Sequence, residues 1–164
     1  MSEGLLNCSE AELSTKAEPL LRALEQNLVL CPRRRGPWSL EDVHRSLLGD
    51  AIAEDPRRWP SGLPVICGGN QPELGLANGD LGITVGAGEQ SRLLFRVATD
   101  GGDVGVKLLH PARIRRLEPA VALTIHRAQG SEADAVFVLW PQPLDSPDIS
   151  DHDRRLLYLS LIHI

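Results

Sequence analysis

Ala120-Val121-Ala122-Leu123-Thr124 runs straight into Ile125-His126-Arg127-Ala128-Gln129-Gly130-Ser131-Glu132, and Ala135-Val136-Phe137-Val138-Leu139-Trp140 follows. Two short runs with no polar alternation are expected of strands in a parallel sheet that is covered on both faces. The segment between them reads differently. Thr124 can cap a single helical turn over residues 125–129, and Gly130 suits the left-handed position that ends it. Ligands of open parallel sheets sit outside the carboxyl ends of strands. A turn in that place aims backbone N–H groups, a hydroxyl and the side chains of His126, Arg127 and Gln129 outward. Such donors match phosphate and sugar oxygens, not base edges, so the expected binding is independent of sequence. Glu132 is better suited to a ribose hydroxyl or a basic side chain than to a metal.

Working upstream, Asn27-Leu28-Val29-Leu30-Cys31 is another short apolar run, stopped by Pro32, and reads as a buried strand. Arg33-Arg34-Arg35 follows it directly. If this strand and the one ending at Leu123 share a sheet, the two polar clusters lie along one rim. Residues 9–28 carry a capping-box start (Ser9, Glu12) and Leu13, Ala17, Leu20, Leu21 and Leu24 at helical spacing. Ser39 and Asp42 open a further helix whose expected apolar face is Leu40, Val43, Leu47 and Leu48, fraying through Asp55-Pro56-Arg57-Arg58. From about Pro60 to Pro119 glycines punctuate the runs Leu63–Cys67, Leu81–Val85, Leu93–Val97 and Val104–Leu109. That spacing suggests a small barrel. The last helix is expected from Asp153 to about Tyr158. The layout is α/β, interrupted by a small β-barrel insert.

The 164 residues carry a formal net charge of −5, which argues against a free-standing, strongly basic nucleic-acid binder, although arginines cluster locally. No apolar run reaches membrane-spanning length, and no signal-peptide layout opens the chain, so a cytoplasmic location is expected. Cys8, Cys31 and Cys67 lack the spacing of a zinc site and are expected as free thiols, at least half-buried.

Residues 123–132 resemble motif V of superfamily 1B helicases of the RecD type, T-x-H-[KR]-[AS]-Q-G-S-E, at eight defined positions. Leu30-Cys31-Pro32-Arg33-Arg34-Arg35-Gly36-Pro37-Trp38 is similar to the motif IV region of that family. Leu74-Gly75-Leu76-Ala77-Asn78-Gly79-Asp80-Leu81-Gly82 resembles the L-x-N-G-[DE]-x-G turn of its SH3-like insert. The three stand in family order. The resemblance implies a partial RecA-like parallel sheet domain, the second motor domain, with an inserted small SH3-like β-barrel. Residues 9–60 and 118–158 would be the two parts of the motor domain and 61–117 the insert.

The resemblance also implies roles. Arg34 would act as the catalytic and nucleotide-binding arginine at the γ-phosphate, with Arg33 and Arg35 as alternatives of register. Arginine suits this because its planar fork pairs phosphate oxygens in two places. Thr124, His126, Arg127, Gln129 and Ser131 would contact single-stranded DNA, and Gly130 and Glu132 would link that contact to the nucleotide cleft. The parent would be an ATP-dependent 5′-to-3′ helicase of recombination and repair, like the exonuclease V alpha subunit. It would use ATP and Mg²⁺ and work either alone or beside RecB-like and RecC-like subunits.

No G-x-x-x-x-G-K-[ST] loop occurs to cradle phosphates. After Leu157-Tyr158, where motif VI and its arginine are expected, the chain reads Leu159-Ser160-Leu161-Ile162-His163-Ile164. A truncated chain with a non-native tail is expected, the alternative being a genuine divergent terminus. The expectation is a motor fragment inactive alone that holds no cofactor or metal by itself. The competing reading is a stand-alone SH3-like module binding nucleic acid or protein, for which the chain is poor in aromatic faces.

Overall fold

The computed structural model describes residues 3–99, 102–129, 133–141 and 150–162. In chain order the elements are α1 (Glu3–Leu6), α2 (Glu10–Gln26), β1 (Asn27–Cys31), α3 (Leu40–Leu48), β2 (Pro64–Cys67), β3 (Leu81–Val85), β4 (Arg92–Ala98), β5 (Val104–Leu109), β6 (Leu117–Pro119), β7 (Leu123–Thr124), α4 (Ile125–Ala128), β8 (Ala135–Val138) and α5 (Asp151–Ile162). They form two compact units, one from residues 1–24 and 50–120, the other from 25–49 and 121–164.

The second unit is a parallel three-stranded sheet in the order β7-β1-β8. All three apolar runs flagged in the sequence join it, and β1 is central. Cys31, Leu40 and Ala122 form one buried cluster of it, with Val29, Val43 and Leu139 packed around them. Two expectations need correction. The strand expected over residues 120–124 enters this sheet only at Leu123 and Thr124. The run at 135–140 pairs over four residues and is not covered on both faces, since Phe137 remains 56% exposed. Side chains of a strand are covered by the layer packed on the sheet's face, and no such cover buries Phe137; β8 is also an edge strand, with β1 its only strand neighbour among the described residues.

Helix α3 starts as expected, with Ser39 Oγ accepting the Asp42 N–H at 3.2 Å. Its buried face differs from the expected one. Leu47 is 62% exposed, and His44, one turn after Leu40, is buried. His44 earns its place by accepting the Ala122 N–H through Nε2 at 3.3 Å, a bond from α3 to the residue before β7. Replacing His44 with phenylalanine keeps the bulk but strands that buried N–H. The expected loss is about 1–3 kcal/mol, measured by urea unfolding; an unchanged midpoint would show the bond to be dispensable.

In the first unit five antiparallel strands run in the order β5-β4-β3-β2-β6. The four glycine-bounded runs of the sequence are β2 to β5. The order has two edges, β5 and β6, and among the described residues no pairing joins them, so the closure expected of a barrel is not seen. Leu13, Ala17 and Leu21, at i, i+4 and i+8 of α2, are buried against Ile83, Val85, Leu94 and Val106 of this sheet. Each fully buried leucine contributes about 1.5–3 kcal/mol to that packing.

Two local devices shape the sheet. Thr84 Oγ1 accepts the Leu63 N–H at 2.8 Å and donates to the Pro60 carbonyl at 2.5 Å, satisfying a buried hydroxyl. In the turn over Ala77-Asn78-Gly79-Asp80, Asp80 Oδ2 accepts the Ala77 N–H, Asn70 Oδ1 accepts the Asn78 N–H, and Gly79 donates to the Cys67 carbonyl. The polar stretch where α3 was expected to fray is a separate 3-10 turn, Pro56–Arg58, capped by Asp55. Arg57 grips the Asp55 carboxylate, which lies well below the usual range at about 2, through side-chain and backbone hydrogen bonds.

The cysteines are free, Cys8 half-buried and Cys31 and Cys67 buried; desolvation pushes the Cys31 thiol up to about 11. Among the described residues no helix is long and apolar enough to cross a membrane, and no acidic, histidine or cysteine cluster could hold a metal ion.

Candidate nucleic-acid and nucleotide rim

The parallel register places Leu30 beside Leu123 and Cys31 beside Thr124. Strands β1 and β7 therefore stop at the same level and in the same direction. The arginine run leaves one strand end while α4 begins at the other, so the two clusters flagged in the sequence share one rim.

On the β1 side the chain makes a tightly bonded loop. The Leu40 and Glu41 N–H groups, orphan donors at the start of α3, bond back to the Arg33 and Arg34 carbonyls at 3.0 and 3.2 Å. Ser39 N–H bonds the Gly36 carbonyl at 3.2 Å, and Trp38 N–H reaches Asp42 Oδ2 at 3.3 Å. These bonds fix the backbone carrying the arginines, while the side chains stay outside: Arg34 and Arg35 are 57% and 83% exposed. Both approach the Glu41 carboxylate, Arg35 at 3.2 Å and Arg34 at 3.9 Å. At this exposure such pairs contribute little to stability and can be exchanged for a phosphate at small cost.

On the β7 side, α4 is anchored by Ile125 and Ala128, both buried, which leaves His126 and Gln129 exposed and Thr124 and Arg127 half-buried. Thr124 occupies the N-cap position, but its side chain makes no cap hydrogen bond, contrary to expectation. Its hydroxyl is not committed to the helix end. Helix α5 packs beside α4, with Leu156 buried. The expected site residues Gly130, Ser131 and Glu132 lie outside the described residues.

The structure thus brings Arg34, Thr124, His126, Arg127 and Gln129 to one strand-end rim. Sequence reasoning overlooked three contributors. Glu41 pairs with Arg34 and Arg35, His44 ties α3 to the segment entering β7, and Trp38 stands exposed between the arginines and α3. The signal for His44 was available, since it follows Leu40 at the helical spacing of a buried stripe.

Residues 119–161 match the UvrD-like helicase C-terminal domain family. RecBCD enzyme subunit RecD of Mycolicibacterium smegmatis is 34% identical over 147 residues, an alignment covering 87% of this chain and 24% of that protein. The chain is RecD-like. The RecD subunit of Mycobacterium tuberculosis is 29% identical over 162 residues, covering 96% of this chain and 26% of the relative. This RecD-like chain therefore spans about a quarter of the length of the curated relatives it matches. Among solved structures, Pif1 helicase from Bacteroides in complex with ADP-AlF3 and ssDNA gives a TM-score of 0.45 at 16% identity, over 96% of this chain and 45% of that one.

Proposed function

We propose that this RecD-like segment supplies part of the second motor domain of an ATP-dependent, 5′-to-3′ DNA helicase of recombination and repair. In this reading residues 9–60 and 118–158 belong to the motor domain and 61–117 to an SH3-like insert. Thr124, His126, Arg127, Gln129 and Ser131 hold single-stranded DNA. Arg34, Gly130 and Glu132 face the nucleotide, and ATP with Mg²⁺ is used only by the longer protein. RecB-like and RecC-like subunits are the partners this implies.

The observation that carries the reading is the register of Cys31 with Thr124, which sets two donor-rich segments at adjacent parallel strand ends. Donors of this kind bind phosphates and sugars without reading bases. The stand-alone peptide- or base-binding module is less favoured. Phe95 is the lone aromatic of residues 61–117, and it is fully buried, so that sheet offers no stacking face.

The test is fluorescence anisotropy of a labelled oligo-dT and a mixed-sequence oligonucleotide of equal length, titrated with the chain over a range of salt. Similar affinities for both, weakening as salt rises, are expected, with a logarithmic slope of about −0.7 per neutralised phosphate. Strong preference for one sequence, or binding insensitive to salt, would overturn the phosphate-and-sugar reading.

A further inference from the structure

We propose that Trp38 is a stacking platform for one nucleobase of a single DNA strand crossing the β1 end of the rim, an assignment that rests on the rim being the DNA site. Trp38 is 56% exposed, so burial does not explain a residue of this size. Its backbone has φ +57, and it is the one non-glycine residue with positive φ among the described residues. A bulky side chain there is strained. The strain is held by the bonds around it, from Trp38 N–H to Asp42, from Ser39 N–H to Gly36, and from Leu40 and Glu41 N–H to the arginine carbonyls. The loop thus presents an indole face in a fixed position.

Its surroundings select the ligand. Arg34 and Arg35, in the same loop, are exposed charges suited to backbone phosphates. The register of β1 with β7 puts this loop next to the turn presenting His126 and Gln129. Interleaved arginine and aromatic groups are how single strands are gripped without sequence preference, because every base has a π-face. An indole on an open surface fits a strand passing over it; a mononucleotide is ordinarily enclosed in a concave site.

The test compares the native chain with Trp38→Ala, Trp38→Phe and Trp38→Gly by oligo-dT anisotropy at fixed salt, each on an ordinary and on an abasic oligonucleotide of equal length. Trp38→Ala is expected to bind oligo-dT about tenfold more weakly, with the salt dependence unchanged, and Trp38→Phe to recover most of the loss. On the abasic strand native and Trp38→Ala chains should bind alike. Trp38→Gly should weaken binding while leaving the melting temperature equal or raised, because glycine relieves the positive φ. Equal oligo-dT affinity of Trp38→Ala and native chains overturns the stacking role and leaves the rim intact. An equal loss on the abasic strand, or a melting temperature that falls with Trp38→Gly, assigns Trp38 a structural role instead. Competition by MgADP that depends on Trp38 would assign the base to a nucleotide and overturn the DNA-strand proposal. No oligonucleotide binding by the native chain would remove the underlying DNA reading as well.

Discussion

Replacing Gly82 with alanine is expected to destabilise the antiparallel unit by about 2–3 kcal/mol, near the upper end of ordinary overpacking costs, and valine by more. Gly82 lies in the interior of β3, opposite Phe95 of β4. A Cβ there would sit 2.6 Å from Phe95 Cε1 and 2.7 Å from the Leu94 carbonyl oxygen. Phe95 and Leu94 are fully buried, Leu94 in the core that α2 covers, so neither can withdraw without disturbing its packing. A fall in melting temperature of about 5–10 °C is the scale for a chain of this size. Gly79→Ala is the control. That glycine has φ +103 but nothing within 4 Å of an added Cβ, so its penalty is conformational strain alone. Equal melting temperatures for Gly82→Ala and the native chain would show that the ring moves freely, contradicting the packing described.

Arg34→Ala, placed in a longer RecD-like protein carrying this segment with a phosphate-binding loop, is expected to depress DNA-saturated kcat by about a hundredfold or more. That is the scale for removing one donor aimed at charge that develops in a transition state. DNA affinity should change little, because a group acting mainly in the transition state contributes little to ground-state binding. The Arg34 side chain is 57% exposed, and its pair with Glu41 is a surface ion pair of small worth; melting temperatures measured alongside separate a loss of turnover from a loss of fold. Arg33→Ala and Arg35→Ala, tested alongside, fix which of the three arginines faces the phosphate.

Much of the fold could be read locally. Apolar runs closed by Pro32 and by the polar turn after Leu123 mark β1 and β7, and glycine punctuation marks β2 to β5, because strand burial and tight turns leave their signatures within a few residues. Pairing was less accessible. The amphipathic stripe of α2 announces a buried face, but nothing local says that it covers the antiparallel sheet. Nor does the apolar β8 reveal that Phe137 is exposed, since burial depends on what packs over that face of the sheet. At the rim, the place of Arg33-Arg34-Arg35 and of His126 and Gln129 just after strands was readable, while the choice of Arg34 among the three arginines came from the family resemblance. Trp38 was not, because its interest lies in a backbone angle set by four hydrogen bonds. The Thr124 hydroxyl was misjudged for a related reason: occupying the N-cap position does not oblige the side chain to bond there.

In the function proposed, one rim divides its labour, with the α4 side holding DNA and the arginine side serving the nucleotide. The most direct measurement pairs oligo-dT affinity at fixed salt with DNA-saturated ATPase, in the same preparations of the longer protein, for His126→Ala, Gln129→Ala and Arg34→Ala. His126→Ala and Gln129→Ala should each weaken DNA binding by about 1–2 kcal/mol, the worth of one hydrogen bond at such a site, with the same loss on oligo-dT and mixed sequence. Arg34→Ala should keep DNA affinity and lose turnover. If Arg34→Ala lost DNA binding while His126→Ala lost only turnover, the division would be reversed, and if neither changed either quantity, the rim would not be the site.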